Sequence, residues 1–191
     1  MDRRAVVRLM GAAAALAGGP VEIERLGREL HRRLALGVTR RVLDPHQDAT
    51  VVSLSDLILP ETDTPGAKAA RVNELMDLLL AEWYDAADRD RFLAGLRDVD
   101  ARAHTAFGKD FLDGTAVQQA ALLTALDDEA ARWNASPRGS RGPEPFYRTF
   151  KWLTLFGYYT SEIGAVREQH YAIIPGSYVP CAPADTASAP E

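Results

Sequence analysis

Apolar residues recur at helical spacing along most of the chain, and short segments rich in proline, glycine and polar residues separate the groups. Side chains three or four positions apart share one face of a helix, so this pattern predicts amphipathic helices. The first predicted helix begins at Pro20 and ends near Gly37, and the main core helix is predicted to begin at Ala67 and to continue for about five turns. The apolar face of that main core helix contains Val72, Leu75, Met76, Leu79, Leu80 and Trp83.

The one candidate strand is the apolar segment at residues 51–59. Leu54, Leu57 and Ile58 within it also fit one helical face. Pro60 ends the segment, because proline lacks the N–H that a helix needs. We interpret the segment as a short helix, and the predicted fold class is therefore all-α.

Two more helices are predicted from the residues that begin them. Asp88 is expected to cap one helix, and Thr115 with Gln118 three residues later matches the capping box that begins another. Residues 134–145 lack periodicity and are predicted to form a surface loop. The residues expected to face the core are Phe92, Leu96, Val99 and Ala103 in the first helix and Leu122, Leu123 and Leu126 in the second.

Proline-rich segments are predicted to be shaped loops or extended chain. Residues 60–66, PETDTPG, are dense in residues that form turns by a fixed φ or by hydrogen bonds to nearby backbone. This composition predicts a rigid loop, and its rigidity suggests that the loop holds a neighbouring group in position. Prolines interrupt residues 175–183, so this end is predicted to be extended. The predicted organisation is one compact helical domain at residues 18–183 with an extended Pro-rich C-terminal tail, which ends in flexible residues 184–191.

Composition is that of an ordinary single-domain protein. The chain has 191 residues, one cysteine and a formal net charge of −5. One cysteine excludes a disulfide scaffold, and the acidic balance argues against a nucleic-acid partner, which a basic surface would bind. No apolar run reaches the roughly 18 to 20 residues of a membrane-spanning helix, so contact with a membrane requires another anchor.

The amino terminus has the layout of an export signal at residues 1–17. The paired Arg3 and Arg4 precede apolar residues and an Ala/Leu stretch, and residues 15–17, ALA, form a small-x-small site for a signal peptidase. Paired arginines in this position are typical of a signal read by the twin-arginine translocase, which exports folded proteins. The predicted localisation is therefore periplasmic. The alternative is a retained Ala-rich helix with a basic start.

Aromatic residues are concentrated in the last third of the chain, where nine of the fifteen lie within residues 146–178. A helix through this segment has two apolar faces, one with Phe146, Phe150, Leu153 and Gly157 and another with Trp152, Phe156 and Tyr159. The core of the chain can cover one face. The second is either a contact with a protein partner or, in the alternative, another side of a central buried helix.

The residues predicted to contact a partner are Trp152, Tyr158, Tyr159, Tyr171, Tyr178 and Cys181. The loop at residues 60–66 is a second candidate. A single cysteine in an exported chain suggests either an intersubunit disulfide or a free thiol, and Cys181 lies in an extended stretch stiffened by proline. The alternative for Cys181 is an inert small apolar residue.

Motifs for catalysis and cofactor binding are missing from the sequence. The four histidines are at least 15 residues apart, so none forms the close pair of a helical zinc site. No CxxC, GxGxxG, GxxxxGK[ST] or GxSxG motif occurs. Glu162 is a candidate acid or base in an apolar neighbourhood. The alternative is a helix that begins at Thr160 or Ser161 and contains Glu162, Val166 and His170. We assign no catalytic, cofactor-binding or metal-binding residue in this chain.

Three stretches of the sequence resemble one protein family. The longest is residues 151–164, KWLTLFGYYTSEIG, followed by Tyr171 and by residues 174–181, IPGSYVPC. Another is residues 57–67, LILPETDTPGA. The third is residues 108–111, GKDF, with downstream Leu122, Leu123, Leu126 and Asp127. Together they are similar to the gluconate 2-dehydrogenase subunit 3 family.

The resemblance implies a small, helical, non-catalytic subunit of a periplasmic, membrane-associated dehydrogenase that oxidises a sugar, a sugar acid or a similar alcohol. In such a complex the large subunit holds FAD, and a multihaem cytochrome c subunit passes electrons to quinone. The small subunit commonly carries the twin-arginine signal, stabilises the flavin subunit and escorts it through export. The alternative is a transient export chaperone that leaves the mature complex. An enzyme in its own right lacks a flavin-binding motif here.

Overall fold

The described part of the chain is built from α-helices. The computed structural model describes residues 42–169 together with Arg25, Arg28, Glu29, Arg32 and Tyr171. Between residues 42 and 169 no strand is present, which confirms the all-α prediction. The elements of this range are α1 (Pro45–Ile58), α2 (Val72–Glu82), α3 (Ala86–Phe107), a 3₁₀ turn (Phe111–Asp113), α4 (Ala116–Ala135), a second 3₁₀ turn (Arg138–Ser140), α5 (Phe146–Tyr159) and a π-helical turn (Ile163–Glu168).

Helix α5 lies at the centre of the domain. It contacts each of α1, α2, α3 and α4, and it packs on the π-helical turn that follows it. Burial of one large apolar side chain stabilises a fold by roughly 1.5–3 kcal/mol, so the core around α5 is the main source of stability. All five α-helices contribute buried residues to this core, among them Leu54, Leu75, Leu96, Leu126 and Phe150.

Helix α1 begins earlier than the sequence analysis predicted. The predicted start was residue 51, whereas the helix begins at Pro45. Asp44 caps it: the Asp44 carboxylate accepts from the Gln47 N–H at 2.8 Å, and the Gln47 side chain accepts from the Asp44 N–H at 3.1 Å. Proline suits the first helical position because its missing N–H has no partner there. The helix ends at Ile58, before Pro60, as predicted.

Helix α2 begins five residues after the predicted start at Ala67. Residues 67–71 form hydrogen-bonded turns instead, and Arg71 has φ +54°, in the left-handed region. A right-handed helix cannot include a residue in that conformation, so α2 begins at Val72. Its predicted apolar face is buried except for Trp83, which is 41% exposed at the C-terminal cap.

The caps of α3 and α4 give one correction and one confirmation. Asp85, not Asp88, caps α3, and its carboxylate accepts from the Asp88 N–H at 2.8 Å. The predicted inward face of α3 is buried. Thr115 and Gln118 form the predicted capping box of α4. The last turn of α4 extends to Ala135, so the following loop is shorter than residues 134–145.

The segment after α5 differs from the α-helix considered in the sequence analysis. It forms the π-helical turn, and the Ser161 hydroxyl holds its start by accepting from the Gly164 N–H at 3.0 Å and donating to the Tyr158 carbonyl at 2.6 Å. Glu162 is exposed, so the apolar neighbourhood expected for this carboxylate is wrong. His170 lies outside the described residues.

Several predictions concern residues outside the described part of the chain. These are the export signal with Arg3 and Arg4, most of the helix at residues 20–37, and the C-terminal tail with Tyr178 and Cys181. Arg25, Arg28, Glu29 and Arg32 are helical and exposed, in agreement with a polar face of the first predicted helix. None of the described helices is long and apolar enough to cross a membrane.

Candidate partner-contact site

The outward side of α5 carries an aromatic face, which we define as Trp152, Phe156 and Tyr159. These residues are four and three positions apart, so they share one side of the helix. The Trp152 and Phe156 rings stack with centroids 5.2 Å apart and an interplanar angle of 10°. Trp152 is 42% exposed, and Phe156 and Tyr159 are half-buried. One exposed aromatic ring and two half-buried ones thus share a side of a helix whose other side lies in the core.

The buried side of α5 fixes the orientation of the aromatic face. Phe150 and Leu153 are fully buried. Gly157 allows α5 to approach α2 closely, because a Cβ at this position would lie 3.1 Å from side-chain atoms of both Leu75 and Val72. Rotation of the helix about its axis would expose these residues, so the buried side fixes the orientation of the aromatic face, of which Phe156 and Tyr159 also pack against the core.

A cluster of phenylalanines locks the start of α5 against α3. Phe92 and Phe146 meet edge to face with ring centroids 5.2 Å apart, and the centroids of Phe146 and Phe150 are 5.5 Å apart. A Cβ at Gly95 would overlap the Phe146 ring, so only glycine permits this approach of the two helices. Such aromatic pairs contribute about 0.5–1.5 kcal/mol beyond the burial of their area.

Tyr158 points away from the aromatic face, into the protein. It is 3% exposed, and its hydroxyl donates to the Pro65 carbonyl at 2.9 Å. The ring of its neighbour Tyr159 meets the Tyr158 ring edge to face, with centroids 5.2 Å apart, but Tyr159 itself is only half-buried. Because Tyr158 is used within the chain, we leave it out of the contact surface.

The loop at residues 60–66 is shaped, as predicted, and is attached to this end of α5. The Thr62 N–H donates to the Thr64 carbonyl at 3.0 Å, and the Thr64 hydroxyl donates to the Glu168 carboxylate at 2.5 Å. A hydrogen bond from the Thr62 hydroxyl, together with backbone N–H groups, lowers the pKa of Asp63. The loop therefore presents an ionised carboxylate beside the C-terminal end of the helix.

Exposed apolar side chains continue beyond α5. Val166 in the π-helical turn is 51% exposed, and Tyr171 is 42% exposed. The Tyr171 N–H donates to the Ala165 carbonyl at 2.9 Å, which holds this residue against the turn. Of the residues predicted to contact a partner, Trp152, Tyr159 and Tyr171 are thus accessible to different degrees, whereas Tyr178 and Cys181 lie outside the described residues.

Ionisable side chains elsewhere form pairs rather than a metal site. His46 Nε2 lies 2.8 Å from Asp100 Oδ2, and His104 Nε2 lies 2.7 Å from Asp110 Oδ1. The hydrogen bond to Asp100, with the charges of Asp100, Asp110 and Asp44, raises the pKa of His46. Within the described residues no group of three or more His, Cys, Asp or Glu side chains is placed to hold a metal ion.

The sequence analysis missed a cleft between the start of α3 and the start of α5. Tyr84, Asp88 and Glu144 line it. No local motif indicates this cleft, because Tyr84 and Glu144 are 60 positions apart and only packing of the two helices brings them together.

The fold and the aromatic face define a class of protein: a small all-α protein whose central helix is buried on one side and exposed and aromatic on the other. A family model described as gluconate 2-dehydrogenase subunit 3 matches residues 45–176, which is more than half of the chain. The chain therefore belongs to this family, and membership implies a subunit of a dehydrogenase complex. No match was found among curated proteins or among solved structures.

Proposed function

We propose that the protein is the non-catalytic small subunit of an FAD-dependent dehydrogenase and that its aromatic face binds the flavin subunit. The observation that carries this proposal is the exposed Trp152 ring, stacked on the half-buried Phe156 ring, on a helix that the core holds in place. Family membership supports it, because a subunit needs a surface for its partner. The substrate of the complex is a sugar, a sugar acid or a similar alcohol.

The chemistry of the aromatic face suits a protein interface. Tryptophan and tyrosine are enriched among the residues that contribute most to binding, because they bury a large area and lose little side-chain entropy. A stable interface buries about 1,600 Å² in total, so three side chains supply only its centre. We propose that Val166, Tyr171 and the loop at residues 60–66 extend the contact.

Redox chemistry in this proposal belongs to the partners. FAD is bound by the large subunit, and haem c by a cytochrome subunit that associates with the complex and with the membrane. The small subunit stabilises the flavin subunit by covering an apolar surface that water would otherwise contact. It therefore acts on the amount and stability of the active complex rather than on the chemical step.

Export is the second part of the proposal. We propose that Arg3 and Arg4 belong to a twin-arginine signal that carries the small subunit and the folded flavin subunit together to the periplasm. A flavoprotein that folds around FAD before export and has no export signal of its own needs a partner that carries the signal. It also needs an interface with that partner that stays intact during export. In the alternative proposal, the small subunit is a transient chaperone that leaves the flavin subunit after export.

Affinity purification of the full chain, co-expressed with the candidate flavin subunit, tests the interface. The wild-type chain is expected to retain a partner with flavin absorbance. Trp152→Ala is expected to weaken retention at least tenfold, since truncation of a central interface tryptophan costs about 2 kcal/mol or more. Trp83→Ala is the matched control, because Trp83 is 41% exposed and Trp152 is 42% exposed. Equal retention by the two variants would contradict the proposed contact surface.

Cell fractionation tests the export proposal. The double change Arg3→Lys and Arg4→Lys is expected to keep both subunits in the cytoplasm as an intact complex, whereas Arg8→Lys is the matched control and should not. A flavin subunit that reaches the periplasm without an intact pair of arginines in this chain would refute the escort role. A periplasmic flavin subunit that is active but no longer bound to this chain would favour the transient chaperone.

A further inference from the structure

The segment that joins the end of α4 to the start of α5 is positively charged within an acidic domain. Residues 132–148 contain four arginines and a single acidic residue, Glu144. Residues 42–131, by contrast, contain seven lysines and arginines against eighteen aspartates and glutamates. Charges separated in this way give the domain one region that attracts anions while most of its surface repels them. We call residues 132–148 the basic segment.

Trp133, near the end of α4, gathers the basic segment into one surface. Its indole N–H donates to the Gly142 carbonyl at 3.0 Å. The guanidinium carbons of Arg141 and Arg148 lie 4.7 Å and 4.8 Å from the centroid of the Trp133 ring, within the range of cation–π contacts. Arg141 precedes α5 and Arg148 belongs to it, so one ring brings together positive charges from two parts of the segment.

The contacts of these two arginines hold them in place but cancel only one charge. Arg141 donates to the Asn134 carbonyl at 2.6 Å and to the Ser136 carbonyl at 2.9 Å. Carbonyl groups are neutral, so the positive charge of Arg141 remains. Arg148 Nη1 lies 3.2 Å from Glu144 Oε1, and this ion pair uses the one carboxylate of the segment. The segment therefore keeps a net positive charge after its own pairs are formed.

The other two arginines are exposed to solvent. Arg132 and Arg138 form no ion pair within the part of the chain that the structure describes. No large apolar side chain of residues 132–148 is exposed, and Trp133 is half-buried. A stable protein interface has an apolar centre inside its polar rim, so a basic surface without such a centre disfavours a protein partner. Anionic lipid headgroups are attracted by clustered basic side chains alone.

We propose that the basic segment binds the anionic headgroups of a lipid bilayer at the bilayer surface. A guanidinium group suits a phosphate because it offers several N–H donors in one plane. A bilayer presents many phosphates on a flat surface, so arginines spread over the segment contact it together. The acidic residues 42–131 are repelled by the same surface, which orients the domain with the basic segment toward the lipid. This proposal does not depend on the aromatic face or on the flavin subunit.

Flotation of the full chain with lipid vesicles tests the proposal. Vesicles of phosphatidylcholine with about 30% phosphatidylglycerol present an anionic surface, and pure phosphatidylcholine vesicles are the neutral control. The wild-type chain is expected to bind the anionic vesicles, and added salt should weaken the binding because it screens the charges. Residues 1–41 contain nine arginines, so variants of the basic segment are needed to assign the binding to it. Equal binding to both kinds of vesicle would overturn the proposal.

Variants determine whether the basic segment is responsible. Arg132→Gln and Arg138→Gln are each expected to weaken binding to the anionic vesicles about fivefold, since one basic residue near such a surface contributes about 1 kcal/mol. Arg138→Lys keeps the charge and should retain binding. Arg97→Gln is the matched control, because Arg97 is also exposed and without an ion pair in the described residues but lies in α3. The proposal fails if Arg132→Gln and Arg138→Gln bind as well as Arg97→Gln.

Poly-glutamate separates a lipid from an acidic protein as the partner. It carries many carboxylates without a bilayer, as an acidic protein surface does. At the same ionic strength, Arg138→Gln is expected to lose less affinity for poly-glutamate than for the anionic vesicles, relative to Arg97→Gln. A loss with poly-glutamate that equals or exceeds the loss with vesicles would overturn the lipid assignment in favour of an acidic protein.

Discussion

The two sides of α5 have similar composition and opposite surroundings. Phe150 and Leu153 on one side are fully buried, whereas Trp152, one position from Leu153, is 42% exposed. Both sides are apolar, so hydrophobicity alone does not predict which side is buried in the core and which is exposed to solvent. Helices α1 to α4 all contact α5, and the core that they form with it covers Phe150 and Leu153 but leaves much of the Trp152 ring in contact with solvent. The buried side holds the fold together, and the aromatic face is available to another molecule.

The comparison separates two energetic roles within a single helix. A buried ring contributes through burial and close packing, so its removal leaves a cavity. An exposed ring contributes little to the isolated chain and much to a complex that covers it. Substitutions on the buried side should therefore lower the free energy of unfolding of the isolated chain more than substitutions on the aromatic face do. Substitutions on the aromatic face should instead have their main effect on binding to the partner.

The largest expected effect is that of Phe150→Ala. Phe150 is fully buried and contacts the Phe92 and Phe146 rings, so its truncation leaves a cavity between α3 and α5. We expect the free energy of unfolding to fall by about 3–5 kcal/mol, measured by urea denaturation of the isolated chain. Phe150→Leu retains more of the volume and should cost clearly less. A loss below about 1 kcal/mol would contradict the assignment of this side of α5 to the core.

Tyr158→Phe should have the next largest effect. The change removes the hydrogen bond from the tyrosine hydroxyl to the Pro65 carbonyl and keeps the buried ring. We expect a loss of about 1 kcal/mol in unfolding free energy, together with faster amide hydrogen exchange in residues 60–66. Tyr159→Phe is the matched control on the neighbouring, half-buried tyrosine. If both variants leave the loop unchanged, the loop is held by its own turn hydrogen bonds rather than by α5.

Trp152→Ala should have a smaller effect on the isolated chain. The stack with Phe156 is worth about 0.5–1.5 kcal/mol at most, and the side chain is already in contact with water. We therefore expect less than about 1 kcal/mol in urea denaturation, with a much larger loss of flavin-subunit retention. A loss as large as that of Phe150→Ala would remove the distinction between the two sides of the helix.

Local patterns predicted the helices well because the apolar period and the caps are local. The inward face of α3 and the capping box at Thr115 follow directly from residue spacing. The capping box of Asp44 and Gln47 has the same kind of signal and was overlooked, so the start of α1 was placed too late. The start of α2 is different, because the left-handed conformation of Arg71 has no local signature.

The candidate sites were less predictable than the helices. Sequence spacing places Trp152, Phe156 and Tyr159 on one side of a helix, but only the packing of the other helices shows which side is exposed. The same limit explains Tyr158, whose partner Pro65 is 93 positions away. The cleft at Tyr84 depends on contact between distant segments, so no pattern along the chain indicates it.

The smallest expected effect tests a contact away from both sides of α5. His46 Nε2 pairs with Asp100 and is 47% exposed, so solvent screening limits its contribution to below about 1 kcal/mol. The pairing raises the pKa of His46 in the folded state. Its stabilisation is therefore fully present below the unfolded pKa of about 6.5 and is lost as the pH rises through the folded pKa.

His46→Gln should accordingly reduce the unfolding free energy at about pH 6 and have almost no effect at about pH 9. Asp100→Asn should remove the same pH-dependent part, because the amide oxygen can still accept from the Phe111 N–H while the charge near His46 is lost. Urea denaturation at the two pH values measures both variants. A difference between wild type and His46→Gln that stays constant or grows with pH would mean that His46 acts through packing. The contact of His46 in α1 with Asp100 in α3 would then stabilise the fold independently of pH, as the buried side of α5 does. The aromatic face would remain the part of the molecule whose truncation the isolated chain tolerates.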